Sequence, residues 1–260
     1  MSDEQPIILV TNDDGVQAPG LMALVEVAKE LGKVVVVAPD KPQSGMGHAI
    51  TVSYPLRLER VSLFGDIEAY QCSGTPADCV KLAKDKILHR KPDLCLSGIN
   101  HGSNSSINVL YSGTMSAAVE AALEGISAMG VSLCDFRYDA DFSAAKKYVA
   151  ILAKELLSKG LADGSLLNVN LPKLGVDEIK GLKICRQAMD KWEEDYDQRV
   201  DPLGKTYYWL KGKFISQDKG EDTDEWALRN GYVSVVPIQF DLTAHHVIGQ
   251  IQKDWDIHED

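Results

Sequence analysis

Ile7-Ile8-Leu9-Val10-Thr11-Asn12-Asp13-Asp14-Gly15 is an apolar run that stops on an acidic pair and a glycine. Four consecutive apolar residues suit a strand buried on both faces. Helical spacing follows: Leu21, Leu24, Val25, Ala28 and Leu31 recur every three or four residues, Pro19 suits a first helical turn, and Gly32 supplies a stop. Val34 to Ala38 then reads as a second buried strand. A strand, a helix and a parallel strand bring both strand ends, and the loops after them, to one sheet edge.

The alternation continues outward. Residues 50–71 read as a β-rich excursion in short extended pieces, and Thr75-Pro76-Ala77-Asp78 opens a helix with Thr75 as N-cap. Asp93 to Ser97 is the next strand, Ser112 to Glu124 an alanine-rich helix, Val131 to Cys134 a strand, and Phe142 to Leu157 a helix. This pattern specifies an α/β fold, a doubly wound and mostly parallel sheet. One domain spanning 1–260 is expected, with an extended arm or hairpin within 190–235 and a helix at the C-terminal end. Beyond Asn170 the chain changes character, and all four tryptophans (Trp192, Trp209, Trp226, Trp255) lie there, suited to covering the core or to building a subunit interface.

Composition narrows the function classes. With 38 acidic and 27 basic side chains the net charge is −11, which opposes attraction to a nucleic-acid polymer. The N-terminus has no basic and long apolar leader, and no apolar stretch approaches the roughly 18 residues of a membrane helix. Five cysteines, an odd number without a C-x-x-C pair, suit reduced buried thiols in the cytosol.

Four loops then carry the chemistry. Asp13 and Asp14 are neighbours and would face opposite ways in a regular strand, so they converge on one ion only if the backbone turns, and Gly15 permits that turn. The second strand ends in Pro39-Asp40-Lys41-Pro42-Gln43-Ser44-Gly45-Met46-Gly47-His48, where Ser44 offers a hydroxyl oxygen. The third loop, Ser97 to Asn104, offers the carboxamides of Asn100 and Asn104 between glycines. Tyr111-Ser112-Gly113-Thr114 precedes the alanine-rich helix, where hydroxyls and free N–H groups meet the favourable end of the helix dipole. Singly, each reads as a turn or a cap. Together they bring hard oxygen donors and an anion site to one edge, a set that suits Mg²⁺ or Mn²⁺ better than zinc. His245 and His246, the rival ligands, sit in a helical segment without an evident third ligand.

These blocks resemble the survival protein SurE family: I-L-V-T-N-D-D-G, V-V-A-P-D followed by S-G-M-G-H-A-I-T, G-T-P-A-D-C-V, Ser97 to Asn104, and Y-S-G-T with A-A-x-E-G after it. The resemblance implies a Rossmann-like domain with an oligomerising C-terminal arm, a homodimer or homotetramer. It implies a cytoplasmic 5′-nucleotidase that removes phosphate from nucleoside monophosphates, with one divalent ion per subunit held by Asp13, Asp14, Ser44 and Asn100. Asn104, Ser112, Gly113 and Thr114 then belong with Asp13 and Asp14 to the catalytic or phosphate-binding set, with His48 and His101 nearby. Gln43 departs from the arginine that many relatives carry before the serine, a lost cation that bears on substrate affinity or shape and leaves the metal ligands in place. The rival readings are a broad phosphomonoesterase or short-chain polyphosphatase, and a nucleotide-binding module without hydrolysis. A dehydrogenase would carry G-x-G-x-x-G where this chain has N-D-D-G-V-Q.

Overall fold

The computed structural model describes residues 5–256; residues 1–4, on which the reading of the N-terminus partly rests, lie outside it. The first strand, β1 (Ile7–Thr11), pairs in parallel with β2 (Lys33–Pro39) and with β5 (Leu94–His101). The parallel ladder continues through β6 (Ser127–Leu133) to β7 (Ser165–Leu171), and on the other side from β2 to β4 (Glu68–Cys72). Antiparallel strands appear toward the margins, with β3 (Leu58–Arg60) on β4 and β11 (Val233–Gln239) on β7, and the short β8 (Leu182–Ile184) closes the sheet in parallel with β11. The full order is β3-β4-β2-β1-β5-β6-β7-β11-β8.

Two-residue periodicity explains why the sheet is covered on both faces. Ile8, Val10, Val34 and Val36 point into a core shared with helices α1 (Pro19–Lys29) and α4 (Ser143–Lys159). Leu9, Val35 and Val37 point the other way, against α2 (Pro76–Leu82) and α3 (Gly113–Leu123). Burial of each such side chain contributes on the order of 2 kcal/mol. Thr75 caps α2 in a capping box with Asp78, as Thr-Pro-Ala-Asp predicts.

Two strand boundaries differ from the sequence reading by more than one residue. β6 begins at Ser127, not Val131, because Gly130 is an internal strand residue that makes room for Met115: a Cβ there would lie 2.3 Å from its sulfur. β5 does not stop at Ser97. It runs to His101 across an irregularity between Ser97 and Asn100, since Asn100 and His101 resume pairing with Ser132 and Leu133. Nonlocal pairing thus turns an apparent loop into a strand end that presents Asn100.

The antiparallel hairpin β9 (Lys191–Val200) and β10 (Thr206–Ile215) forms a sheet of its own. A short helix, α5 (Asp224–Arg229), follows it, and α6 (His245–Asp254) comes last among the described elements. No tryptophan enters the core: Trp192, Trp209 and Trp255 are exposed, and Trp226 is half-buried. All five cysteines are free, and no helix among the described residues is long and apolar enough to cross a membrane.

Candidate active site

The carboxylate pair sits on the turn that ends β1. Asn12 builds this turn, its Oδ1 accepting from the Gly15 N–H at 3.2 Å and its Nδ2 donating to the Gly15 carbonyl at 2.9 Å, while Gly15 holds φ +100°. The bend releases the two side chains from opposite faces of a strand. Asp13, buried, accepts from the Thr114 hydroxyl at 2.5 Å. Asp14, half-buried, lies near the His101 N–H, 3.4 Å from its Oδ2.

Helix α3 approaches Asp13 end-on, and Gly113 makes that approach possible: a Cβ there would lie 2.6 Å from the Asp13 Cβ and 2.9 Å from its Oδ2. The Ser112 hydroxyl caps the Met115 N–H at 3.0 Å. The N–H groups of the first turn have no intrahelical acceptor and carry the positive end of the helix dipole. Sequence-predicted residues from two distant segments, Asp13 and Ser112 to Thr114, are therefore adjacent.

Burial pushes the Asp13 carboxyl up to about 6, the nearby charge of Asp14 pushes in the same direction, and the Thr114 hydroxyl offsets part of the rise. Asp14 is raised too, chiefly by burial. Neither carboxylate has a lysine or arginine partner among the described residues. A buried and a half-buried carboxylate with no lysine or arginine partner invite a cation from solution.

Asn100 donates its Nδ2 to the Gly102 carbonyl at 2.8 Å, which orients the carboxamide and leaves Oδ1 without a donor among the described residues. Ser44 is exposed, and its loop is tied to the pair by the Gln43 N–H, which donates to the Asp13 carbonyl at 2.8 Å. Two carboxylates, a carboxamide oxygen and a hydroxyl are hard donors, so this donor set fits Mg²⁺ or Mn²⁺. Among the described residues no cluster of three His, Cys, Asp or Glu forms a rival metal centre. His245 is ion-paired with Asp241, and it and His246 are exposed on α6.

Asn104 is held by a buried polar ladder that the sequence reading missed. Its N–H donates to Asn170 Oδ1 at 2.8 Å, its Nδ2 to the Ser132 hydroxyl at 2.8 Å, and its carbonyl accepts from Asn168 Nδ2 at 2.8 Å. Asn170 in turn donates to Asn168 at 2.9 Å. The signal was present in Asn168-Val169-Asn170: carboxamides two apart in an apolar strand share one face. Replacing Asn170 with leucine strips the acceptor from a buried N–H and leaves Asn168 half-satisfied. We expect a loss of about 3 kcal/mol in urea unfolding, and an unchanged midpoint would show that the ladder is dispensable.

Glu120 was also missed. It is buried on α3 and accepts from His48 Nε2 at 2.9 Å and Lys81 Nζ at 2.6 Å, while the Ser116 hydroxyl donates to the Gly47 carbonyl at 2.6 Å. His48 thus anchors the Ser44 loop to α3, with its Nε2 engaged by Glu120 and not by the Asp13–Asp14 pair. His101 lies with its ring edge-on to Phe142, centroids 5.4 Å apart. A cavity of about 460 Å³ opens beside Asp14, with Lys41, His101 and Tyr138 in its wall.

Fold and site define a doubly wound α/β protein with an acidic, oxygen-rich centre at the carboxyl edge of its parallel strands, facing a helix N-terminus. The family model described as Survival protein SurE matches residues 8–194, and the chain belongs to that family. It is 60% identical to a protein of Christiangramia forsetii named 5′-nucleotidase SurE, over 100% of both chains. A Cytophaga hutchinsonii protein of the same name is 62% identical over 98% of this chain and 99% of its own. The crystal structure of the SurE protein from Aquifex aeolicus superposes with a TM-score of 0.82 at 42% identity, covering 95% of this chain and 98% of that one.

Proposed function

We propose that this chain is a 5′-nucleotidase that hydrolyses nucleoside 5′-monophosphates to nucleoside and phosphate, with one Mg²⁺ or Mn²⁺ per subunit held by Asp13, Asp14, Ser44 and Asn100. The observation that carries the reading is the meeting of an uncompensated carboxylate pair with the first turn of α3 across Gly113. The name borne by the full-length relatives supports the substrate class.

When bound, the cation supplies charge neutralisation and Lewis-acid polarisation of the phosphoryl group. The chain's own groups do the rest. Ser112 and Gly113 place a hydroxyl proton and a first-turn N–H where phosphoryl oxygens gain charge, and Thr114 acts through Asp13. Thr114 holds Asp13 by its hydroxyl, and Asn104, held rigid by Ser132, Asn168 and Asn170, is assigned to the phosphate-binding set. Asp14, more open than Asp13, is the better placed of the two to accept a proton from an attacking water.

Phosphate release from AMP, GMP, UMP, an aryl phosphate and a short polyphosphate, compared by kcat/KM, tests the reading. Preference for the nucleotides supports it. Preference for the aryl ester or the polyphosphate replaces it with a broad phosphomonoesterase or polyphosphatase, and saturable binding without release replaces it with a binding module. We place the enzyme in the cytoplasm, in keeping with its free thiols, and as a homodimer or homotetramer through the exposed hairpin, where Tyr208, Trp209 and Leu210 are each 60% exposed. Light scattering that finds only a 28.5 kDa species at micromolar concentration contradicts the oligomer.

A further inference from the structure

A cavity of about 400 Å³ lies between the Ser44 loop and the hairpin, walled by Gly45, Tyr111, Trp192, Glu194, Leu210 and Lys211. Two of these are chain neighbours of the candidate active site: Gly45 follows Ser44, and Tyr111 precedes Ser112. The Gly47 N–H donates to the Tyr111 carbonyl at 3.2 Å, so the two walls are tied to each other. A ligand with its phosphate at the start of α3 therefore has this cavity within reach of its other end.

Trp192 is 42% exposed yet held on three sides. Its Nε1 donates to Asn108 Oδ1 at 2.7 Å, its ring meets Phe214 edge-on with centroids 5.5 Å apart, and it lies over Gly212, where a Cβ would be 3.2 Å from its Cε3. An aromatic fixed before binding and left partly open loses little freedom when another ring stacks on it. Tyr111, 54% exposed, provides a second ring in the same cavity.

The polar rim indicates what kind of group fits. Lys211 is engaged by Asp197, 3.2 Å from its Oδ2, whereas Glu194 has no partner among the described residues. The rim thus offers an acceptor and no unpaired cation, which disfavours a second phosphate and favours an uncharged ring with N–H donors.

We propose that this cavity receives the base of the nucleotide, with Tyr111 and Trp192 as stacking surfaces and Glu194 accepting from the base edge. The inference rests on the nucleotidase reading and adds a specificity site to it. It makes the hairpin part of the substrate site as well as an exposed surface.

The test compares AMP with ribose 5-phosphate, which keeps the phosphate and sugar and lacks the base. Wild-type kcat/KM should favour AMP. Trp192→Leu and Tyr111→Leu should each cost about tenfold more on AMP than on ribose 5-phosphate, within the range that base stacking supplies, and Trp192→Phe should recover most of that loss. Equal losses on both substrates, or none on either, overturn the base site. A selective loss of AMP turnover in Tyr138→Leu, with Trp192→Leu behaving as wild type, overturns it in favour of the cavity beside Asp14. Equal wild-type turnover of the two substrates overturns the base site and leaves the phosphatase standing; wild type that hydrolyses neither with metal present removes both readings.

Discussion

Asp13→Asn should reduce metal-dependent phosphate release by two to three orders of magnitude, on the order of the loss when one group that stabilises a transition state is removed, and should do so without lowering the stability of the metal-free protein. The second half of this expectation follows from burial. An ordinary aspartate releases its proton near 3.8, whereas Asp13 in the folded chain holds it to about 6. Between those values the folded state binds more protons than the unfolded one, so Asp13's contribution to metal-free stability falls as pH rises through this window. Above about pH 6 the whole cost is present, about 3 kcal/mol for a shift of this size. Asparagine keeps the shape, carries no charge and escapes that cost. Asp14, raised in the same direction, adds to it. A divalent cation reverses the sign, because it favours the ionised pair. The Mn²⁺-induced rise in melting temperature should therefore be larger at about pH 8 than at about pH 5 in wild type, and nearly absent in Asp13→Asn. An equal rise in both proteins would remove Asp13 from the metal site.

Gly113→Ala should lower kcat/KM by about a hundredfold, the scale of loss when a reacting group is displaced by about 1 Å. The new Cβ cannot coexist with Asp13 at 2.6 Å, so either α3 retreats or the aspartate turns away. Gly113 is the first residue of α3, where alanine gains less over glycine than in a helix interior, so only a small part of an overpacking cost of about 1–3 kcal/mol is offset. The substitution still separates activity from folding: kinetics should change far more than the melting temperature. Full activity in Gly113→Ala would mean that the contact between α3 and Asp13 is incidental to the chemistry.

Local chemistry was legible in the sequence wherever one short segment contains both cause and effect. Asn12-Asp13-Asp14-Gly15 carries its own turn, with Asn12 closing it and Gly15 taking the positive φ. Thr75 to Asp78 carries its own cap, and Ser112 its own helix start. What the sequence hid is long-range. Ser97-Gly98-Ile99-Asn100 looks like a turn because glycine and asparagine favour turns, yet pairing with β6 extends the strand and presents Asn100 from its end. Gly130 looks like a breaker because its reason for being glycine, the Met115 sulfur, lies in another element. Glu120 reads as one more helical glutamate until His48 and Lys81, from separate segments, are found on its two oxygens. The hairpin's part in walling a cavity was hidden for the same reason, since Trp192 and Tyr111 are neighbours in space only.

The proposed nucleotidase activity requires that the Asp13–Asp14 pair hold a divalent cation on which phosphate-ester hydrolysis depends. Its most direct test is phosphate release from AMP by chelated protein, before and after Mg²⁺ or Mn²⁺ is restored, with wild type and Asp13→Asn side by side. The expected result is no release after chelation, recovery in wild type when metal returns, and no recovery in Asp13→Asn. Release that persists in fully chelated wild type, or that returns equally in Asp13→Asn, would contradict it.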